Sequence, residues 1–125
     1  MDQWLYLAAG GVAGTLLRHT LVTAAYQKFG SAFPYGTLMV NVAGCFLIGF
    51  LDVLCAKKLA VAPALRLLFM VGFCGALTTF SAFVLDTNNL MKEGETVRAL
   101  LNVTGSVALC FMVFRLGVFL GSFIK

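Results

Sequence analysis

Side chains able to do chemistry are few in this sequence, and most of them fall four residues apart. Thr37, Asn41 and Cys45 recur at that spacing, and so do Asn102, Ser106 and Cys110, with Phe114 continuing the second line. Residues four apart share one face of a helix, so each set is a polar track along one helix. Amide and hydroxyl groups in such tracks are uncharged hydrogen-bond donors and acceptors. A single asparagine among apolar residues reads most simply as interhelical glue, contributing ~1 kcal/mol per contact. Two parallel tracks favour a lined pathway instead. A third polar centre, "GFCGALTTFSAF" at residues 72–83, adds two glycines, paired threonines, a serine, and two phenylalanines three apart, Phe80 and Phe83.

The ionisable groups narrow the solute. Asp52 and Asp86 fall near the ends of apolar stretches, and the remaining acids, Asp2, Glu93 and Glu95, lie in a tail and a loop. A proton-coupled exporter of cations needs a titrating carboxylate at mid-membrane, and no acid stands there. His19 is the only imidazole and neighbours Arg18. It supports neither a metal site nor a proton relay, and no nucleophile–base pair is present, so enzymatic chemistry is not expected. Cys45, Cys55, Cys74 and Cys110 form no CxxC pair and read as free thiols in apolar surroundings. Arg18, well inside the first apolar stretch, is costly at depth unless it reaches the interface or a partner. Both roles stay open: interfacial snorkelling, or direct contact with a negative solute. Arg115 sits late in its stretch and snorkels.

Donors and positive ends without buried negative charge suit an anion. The 72–83 segment fits that reading if its helix breaks near the middle. Gly72 and Gly75 lower helix propensity, and the hydroxyls of Thr78 and Thr79 can divert backbone bonding. Unwound backbone at membrane depth is tolerated only where it is buried in protein or faces a cavity. Its carbonyl oxygens are then free to bind a hard cation. A two-fold dimer would duplicate each of them, so two per chain would give four. Aromatic ring edges carry partial positive charge, so Phe80 and Phe83 presented edge-on would stabilise a small anion. Taken by spacing alone, the same pair also reads as plain packing or lipid contact.

Positioning these groups requires membrane-spanning helices. Of 125 residues, 61% are hydrophobic and only 11% charged, with a mean hydropathy of +0.97. Those charges are too few for the polar shell of a soluble chain. The net charge of +4 is scattered, so no basic face for nucleic acid exists. Four stretches, 4–26, 35–55, 64–85 and 99–119, approach the ~20 residues needed to cross a bilayer. They form one all-α membrane domain over residues 1–125. Trp4, Tyr6, Tyr26 and Tyr35 fall at the expected interfaces. Pro34 and Pro63 precede the second and third stretches, as suits helix starts. The start of the chain lacks the basic region of a signal peptide, so the first helix is expected to belong to the mature fold. Gly10 with Gly14, and Gly117 with Gly121, form GxxxG pairs suited to close helix contact.

Orientation is signalled weakly. Lys57, Lys58 and Lys125 collect on one side, and Lys28, Lys92 and Arg98 on the other. Cytoplasmic excess of Lys and Arg normally fixes topology. Balance predicts insertion both ways and hence an antiparallel homodimer, since four helices alone are too few to enclose a pathway.

"GGVAGTLLRH", "PYGTLMVNVAGCFLIGF", "GFCGALTTFSAF" and "LLNVTGSV" run through the whole chain. With them the sequence resembles the fluoride channel family known as Fluc or CrcB. That resemblance implies passive fluoride export by a dual-topology homodimer in the bacterial inner membrane, with two pores and a central sodium ion. It implies sodium-binding carbonyls at Gly75 and Thr78, and an aromatic pair at Phe80 and Phe83. Asn41 would be a polar donor beside the anion route, with Thr37, Ser81, Asn102 and Ser106 extending the track. Arg18 matches the arginine of the family's first helix. Cys110 stands where a hydroxyl is common and offers a weaker donor, and Asn102 stands where relatives carry tyrosine. Two other readings stand beside this one. A small dual-topology transporter of drugs or metabolites would take up a cationic dye, and a purely structural assembly partner would pass no ion.

Overall fold

The computed structural model of the chain describes residues 2–57 and 62–124. Lys58 and Lys125, counted above for topology, lie outside them. The described chain is all helical. Helix α1 spans Asp2–Phe29 and α2 spans Tyr35–Lys57. A third helix, α3, covers 63–77 in three parts: a first turn Pro63–Arg66, a wide π-helical segment Leu67–Cys74, and a last turn Gly75–Leu77. Two extended residues separate it from α4, Phe80–Lys92, and α5 spans Thr96–Ser122.

Three stretches, Tyr35–Ala56, Pro63–Lys92 and Thr96–Ser122, are long and apolar enough to cross a membrane. The first helix, at 28 residues, has ample length at ~1.5 Å per residue. Its Arg18, His19 and five threonine and glutamine positions make it less apolar than the other three. By length and composition, three of the four are apolar enough to be marked as spans. Turns close on glycine where the chain needs a left-handed residue. Gly30 has φ +75° and Gly94 has φ +77°, each ending a helix without the steric penalty of a Cβ.

Glycine also sets how closely the helices pack. A Cβ at Gly10 would lie 2.1 Å from the Leu68 carbonyl oxygen, and one at Gly14 would lie 2.3 Å from that of Phe73. The first GxxxG pair is thus the seat of the π-helical segment on α1. The second pair joins α5 to α2. Gly117 meets Phe46 and Phe50, and Gly121 meets Phe50 and Val53. From the other side, a Cβ at Gly49 would lie 2.3 Å from the Phe114 carbonyl oxygen. These contacts advance in the same direction on both helices, so α2 and α5 run parallel. Followed back turn by turn from Gly49 and Phe114, the helices bring Cys45 near Cys110 and Asn41 near Ser106, and these four line one cavity, with Thr37 and Asn102 a turn further on. The two polar tracks therefore face a common seam. Val40, Cys74 and Leu77 are completely buried where α2 meets α3.

Candidate functional site

The site is built around the interruption between α3 and α4. Thr78 (φ −81°, ψ 151°) and Thr79 (φ −150°, ψ 114°) are extended. The side chain of Asn41, reaching across from α2, pairs with the Thr79 peptide unit. Thr79 N–H donates to Asn41 Oδ1 at 2.7 Å, and Asn41 Nδ2 donates to the Thr79 carbonyl at 3.1 Å. A backbone N–H can only donate, so the amide orientation is fixed by this contact. Each end of the interruption is capped by a threonine. Thr78 Oγ1 donates to the Cys74 carbonyl at 3.0 Å, and Thr79 Oγ1 accepts the Ala82 N–H at 3.2 Å as the N-cap of α4. Gly44 makes room for this arrangement, since a Cβ there would lie 2.2 Å from Thr78 Cγ2.

These diversions release backbone groups. In an uninterrupted helix the Thr79 N–H would bond the Gly75 carbonyl, and the Ala82 N–H would bond that of Thr78. Both donors are engaged elsewhere, so the Gly75 and Thr78 carbonyls lose these partners, as the Ala76 and Leu77 carbonyls lose theirs at the end of α3. Among the described residues no group of three His, Cys, Asp or Glu side chains could hold a metal. A cation at the interruption would therefore be held by backbone oxygen, a ligand type suited to hard cations. At the start of α4 the N–H groups of Phe80 and Ser81 have no intrahelical acceptor, as at any helix N-terminus.

Two open cavities flank Thr79, which lines both. The first, about 280 Å³, brings together Asn41, Thr78, Phe80, Phe83, Ser106 and Cys110, with Cys45 among the remaining lining residues. The Phe80 and Phe83 ring centroids lie 5.4 Å apart at 38°. Phe83 is buried, whereas Phe80 is 76% exposed on the protomer and stands at the open side of the cavity. The second, about 650 Å³, holds Arg18, His19, Thr37 and Ser81. Among the described residues the only ion pair with measurable geometry is the exposed Glu95–Arg98 contact at 3.3 Å, so Arg18 brings its charge to this cavity without a carboxylate bound to it.

Not every residue singled out from the sequence lines a cavity. Asn102 is buried and sits in a hydrogen-bond ladder. Ser106 Oγ donates to Asn102 Oδ1 at 3.3 Å, Asn102 Nδ2 to Thr87 Oγ1 at 2.9 Å, and Thr87 Oγ1 to the Phe83 carbonyl at 2.8 Å. Gly75 is exposed and lies outside both cavities. Buried Thr37 donates to Asp86 Oδ2 at 2.6 Å. Thr87 and Gly44 escaped the reading of the sequence, and Asp86, noted there for lying near a helix end, was not linked to Thr37. Only the four-residue step from Phe83 to Thr87 could have flagged one of them.

The profile of the family described as CrcB-like protein, Camphor Resistance (CrcB), matches residues 5–118. The fluoride-specific ion channel FluC of Shewanella amazonensis is 47% identical over 117 residues, 94% of each chain. That of Magnetococcus marinus is 45% identical over 122 residues, 98% of this chain and 99% of its own. That of Maridesulfovibrio salexigens is 39% identical over 124 residues, 99% of this chain and 98% of its own. A profile match across nearly the whole chain, with relatives similar over almost their full length, makes this multi-pass membrane protein a member of the CrcB-like family.

Proposed function

We propose that the chain forms a fluoride-selective channel that lets fluoride leave the cell passively. The observation that carries this reading is the interruption at Thr78 and Thr79, held open by the Asn41–Thr79 pair beside a cavity lined by Phe80, Phe83 and Ser106. Fluoride is small, hard and strongly hydrated, so a route for it must replace water with donors at close range. Asn41 keeps one N–H beyond its bond to Thr79, and the two rings offer edges; the Ser106 hydroxyl, whose proton goes to Asn102, would have to turn from that bond to donate. No carboxylate lines the 280 Å³ cavity, which speaks against a transporter of cationic drugs. The names of the relatives point to the same ion.

The functional unit in this proposal is an antiparallel, dual-topology homodimer in the bacterial inner membrane, with two pores. A lone protomer leaves Phe80 on an open cavity wall, and a second copy would close it. The released carbonyls of Gly75 and Thr78, doubled by the two-fold axis, would hold a structural sodium ion. Arg18 would draw anions towards the 650 Å³ cavity, where Ser81 offers a hydroxyl and that of Thr37 is held by Asp86. Liposomes holding only this protein should release fluoride far faster than chloride, read with ion-selective electrodes. Comparable release of both ions would count against the proposal.

A further inference from the structure

The anion-route reading leaves one pair of groups unused. Cys45 on α2 and Cys110 on α5 are free, partly buried thiols. The parallel register of α2 and α5 brings them to the same stretch of the seam, both line the 280 Å³ cavity, and each thiol lies within electrostatic reach of the other. Two sulfurs at that range, within reach of an open cavity, form a ready bidentate soft-ligand set.

Charge and coordination number select what such a pair can take. Zinc wants four ligands in a closed structural site, and no third His, Cys, Asp or Glu joins these two among the described residues. A monovalent soft cation on two thiolates would leave a net negative charge in an apolar wall, which is costly. A divalent soft cation that accepts two ligands in line leaves none. We propose that Cys45 and Cys110 form a binding site for a two-coordinate, thiophilic divalent cation of the mercuric class.

The step is a ligand exchange without oxidation or reduction. Mercuric chloride enters as a neutral molecule. Both S–H bonds and both metal–chloride bonds break, two sulfur–metal bonds form, and two protons and two chlorides leave. The product is a neutral bis-thiolate bridging α2 and α5. In-line bonds of ~2.3 Å, the length of a zinc–thiolate bond, separate the sulfurs by ~4.6 Å. If the cavity is the anion route, as proposed above, the bridge sits in its wall and obstructs it.

Purified, thiol-reduced protein would be titrated with mercuric chloride, following the ultraviolet thiolate-to-metal charge-transfer band and counting free thiols after denaturation. Cys55, whose thiol lies 3.8 Å from the Met70 sulfur, would be replaced by Ala to remove a competing soft pair. The expected result is one tightly bound ion per chain with two thiols consumed. Cys45→Ser and Cys110→Ser each keep the size of the side chain and should bind roughly 100-fold more weakly, because the second sulfur no longer acts at high effective concentration. Undiminished affinity in either variant, with its elution volume unchanged on gel filtration, overturns the site. Slowed fluoride efflux in the parent and not in Cys110→Ser would follow from the same bridge. Tight binding with undiminished efflux upholds the site and instead counts against placing this cavity on the anion route.

Discussion

At the residue scale, Asn41 couples two tasks that the sequence shows only as one polar side chain. Its amide holds the Thr79 peptide through both its polar atoms, and in the proposed channel its second N–H would donate to the passing anion. Asn41→Asp keeps the acceptor for the Thr79 N–H but cannot donate when ionised. A carboxylate about 4 Å from fluoride repels it by ~4 kcal/mol at an effective dielectric of ~20. Fluoride efflux at neutral pH is therefore expected to fall by orders of magnitude, with partial return on acidification as the carboxyl gains a proton and donates again. Wild-type efflux from well-folded Asn41→Asp protein at neutral pH would reduce Asn41 to a clasp on the backbone. The two rings differ in setting. Phe83 is packed and Phe80 is exposed on the protomer, so Phe80→Ile should leave protomer stability nearly unchanged while lowering efflux through loss of the ring edge. Phe83→Ile should lower both, as removal of a buried ring costs packing. Unchanged efflux in both variants would return the rings to plain packing. Melting curves recorded beside the efflux assays separate the two effects.

At the element scale, the four-residue periodicity of Thr37, Asn41 and Cys45 and of Asn102, Ser106 and Cys110 was legible because it belongs to single helices. The glycines and threonines of 72–83 were legible for the same reason, since propensity and capping act locally. What joins the elements was not. Thr87 enters the ladder only because α4 lies against α5, and Asp86 meets Thr37 only because α4 lies beside α2. Gly44 carries no local signal at all, yet it admits Thr78 to the surface of α2. Gly44→Ala should push Thr78 away, because its Cβ would fall 2.2 Å from Thr78 Cγ2. The expected outcome is loss of efflux and a lowered melting temperature, as with overpacking costing ~1–3 kcal/mol. Thr78→Ser removes that methyl while keeping the hydroxyl for the Cys74 carbonyl, so the double variant should recover efflux that Gly44→Ala alone loses. Gly11→Ala, where a Cβ meets nothing within 4 Å, is the control. Equal activity of Gly44→Ala and Gly11→Ala would show that the approach of Thr78 to α2 is unimportant.

At the scale of the whole molecule, the distribution of charge decides how many protomers a channel can use. Lys57, Lys58 and Lys125 stand against Lys28, Lys92 and Arg98, and a balance of this kind gives the insertion machinery no preferred direction. The α1 helix, the least apolar of the four, adds Arg18 and His19 past its midpoint without tipping that balance decisively. If a pore requires two protomers in opposite orientations, then near-equal insertion both ways is a condition of activity rather than an accident of composition. A C-terminal tag should accordingly be labelled from both faces of the membrane by an impermeant reagent. Adding two lysines to the 30–34 loop should bias every copy one way and abolish efflux when that variant is expressed alone. Co-expression with a copy carrying extra lysines in the 93–95 turn, which lies on the same side, should not restore it. A copy with the lysines added after Phe123, on the opposite side, should. Full efflux from a chain labelled on one face only would rule out the antiparallel pair and require that the 280 Å³ cavity be closed by some other arrangement of protomers.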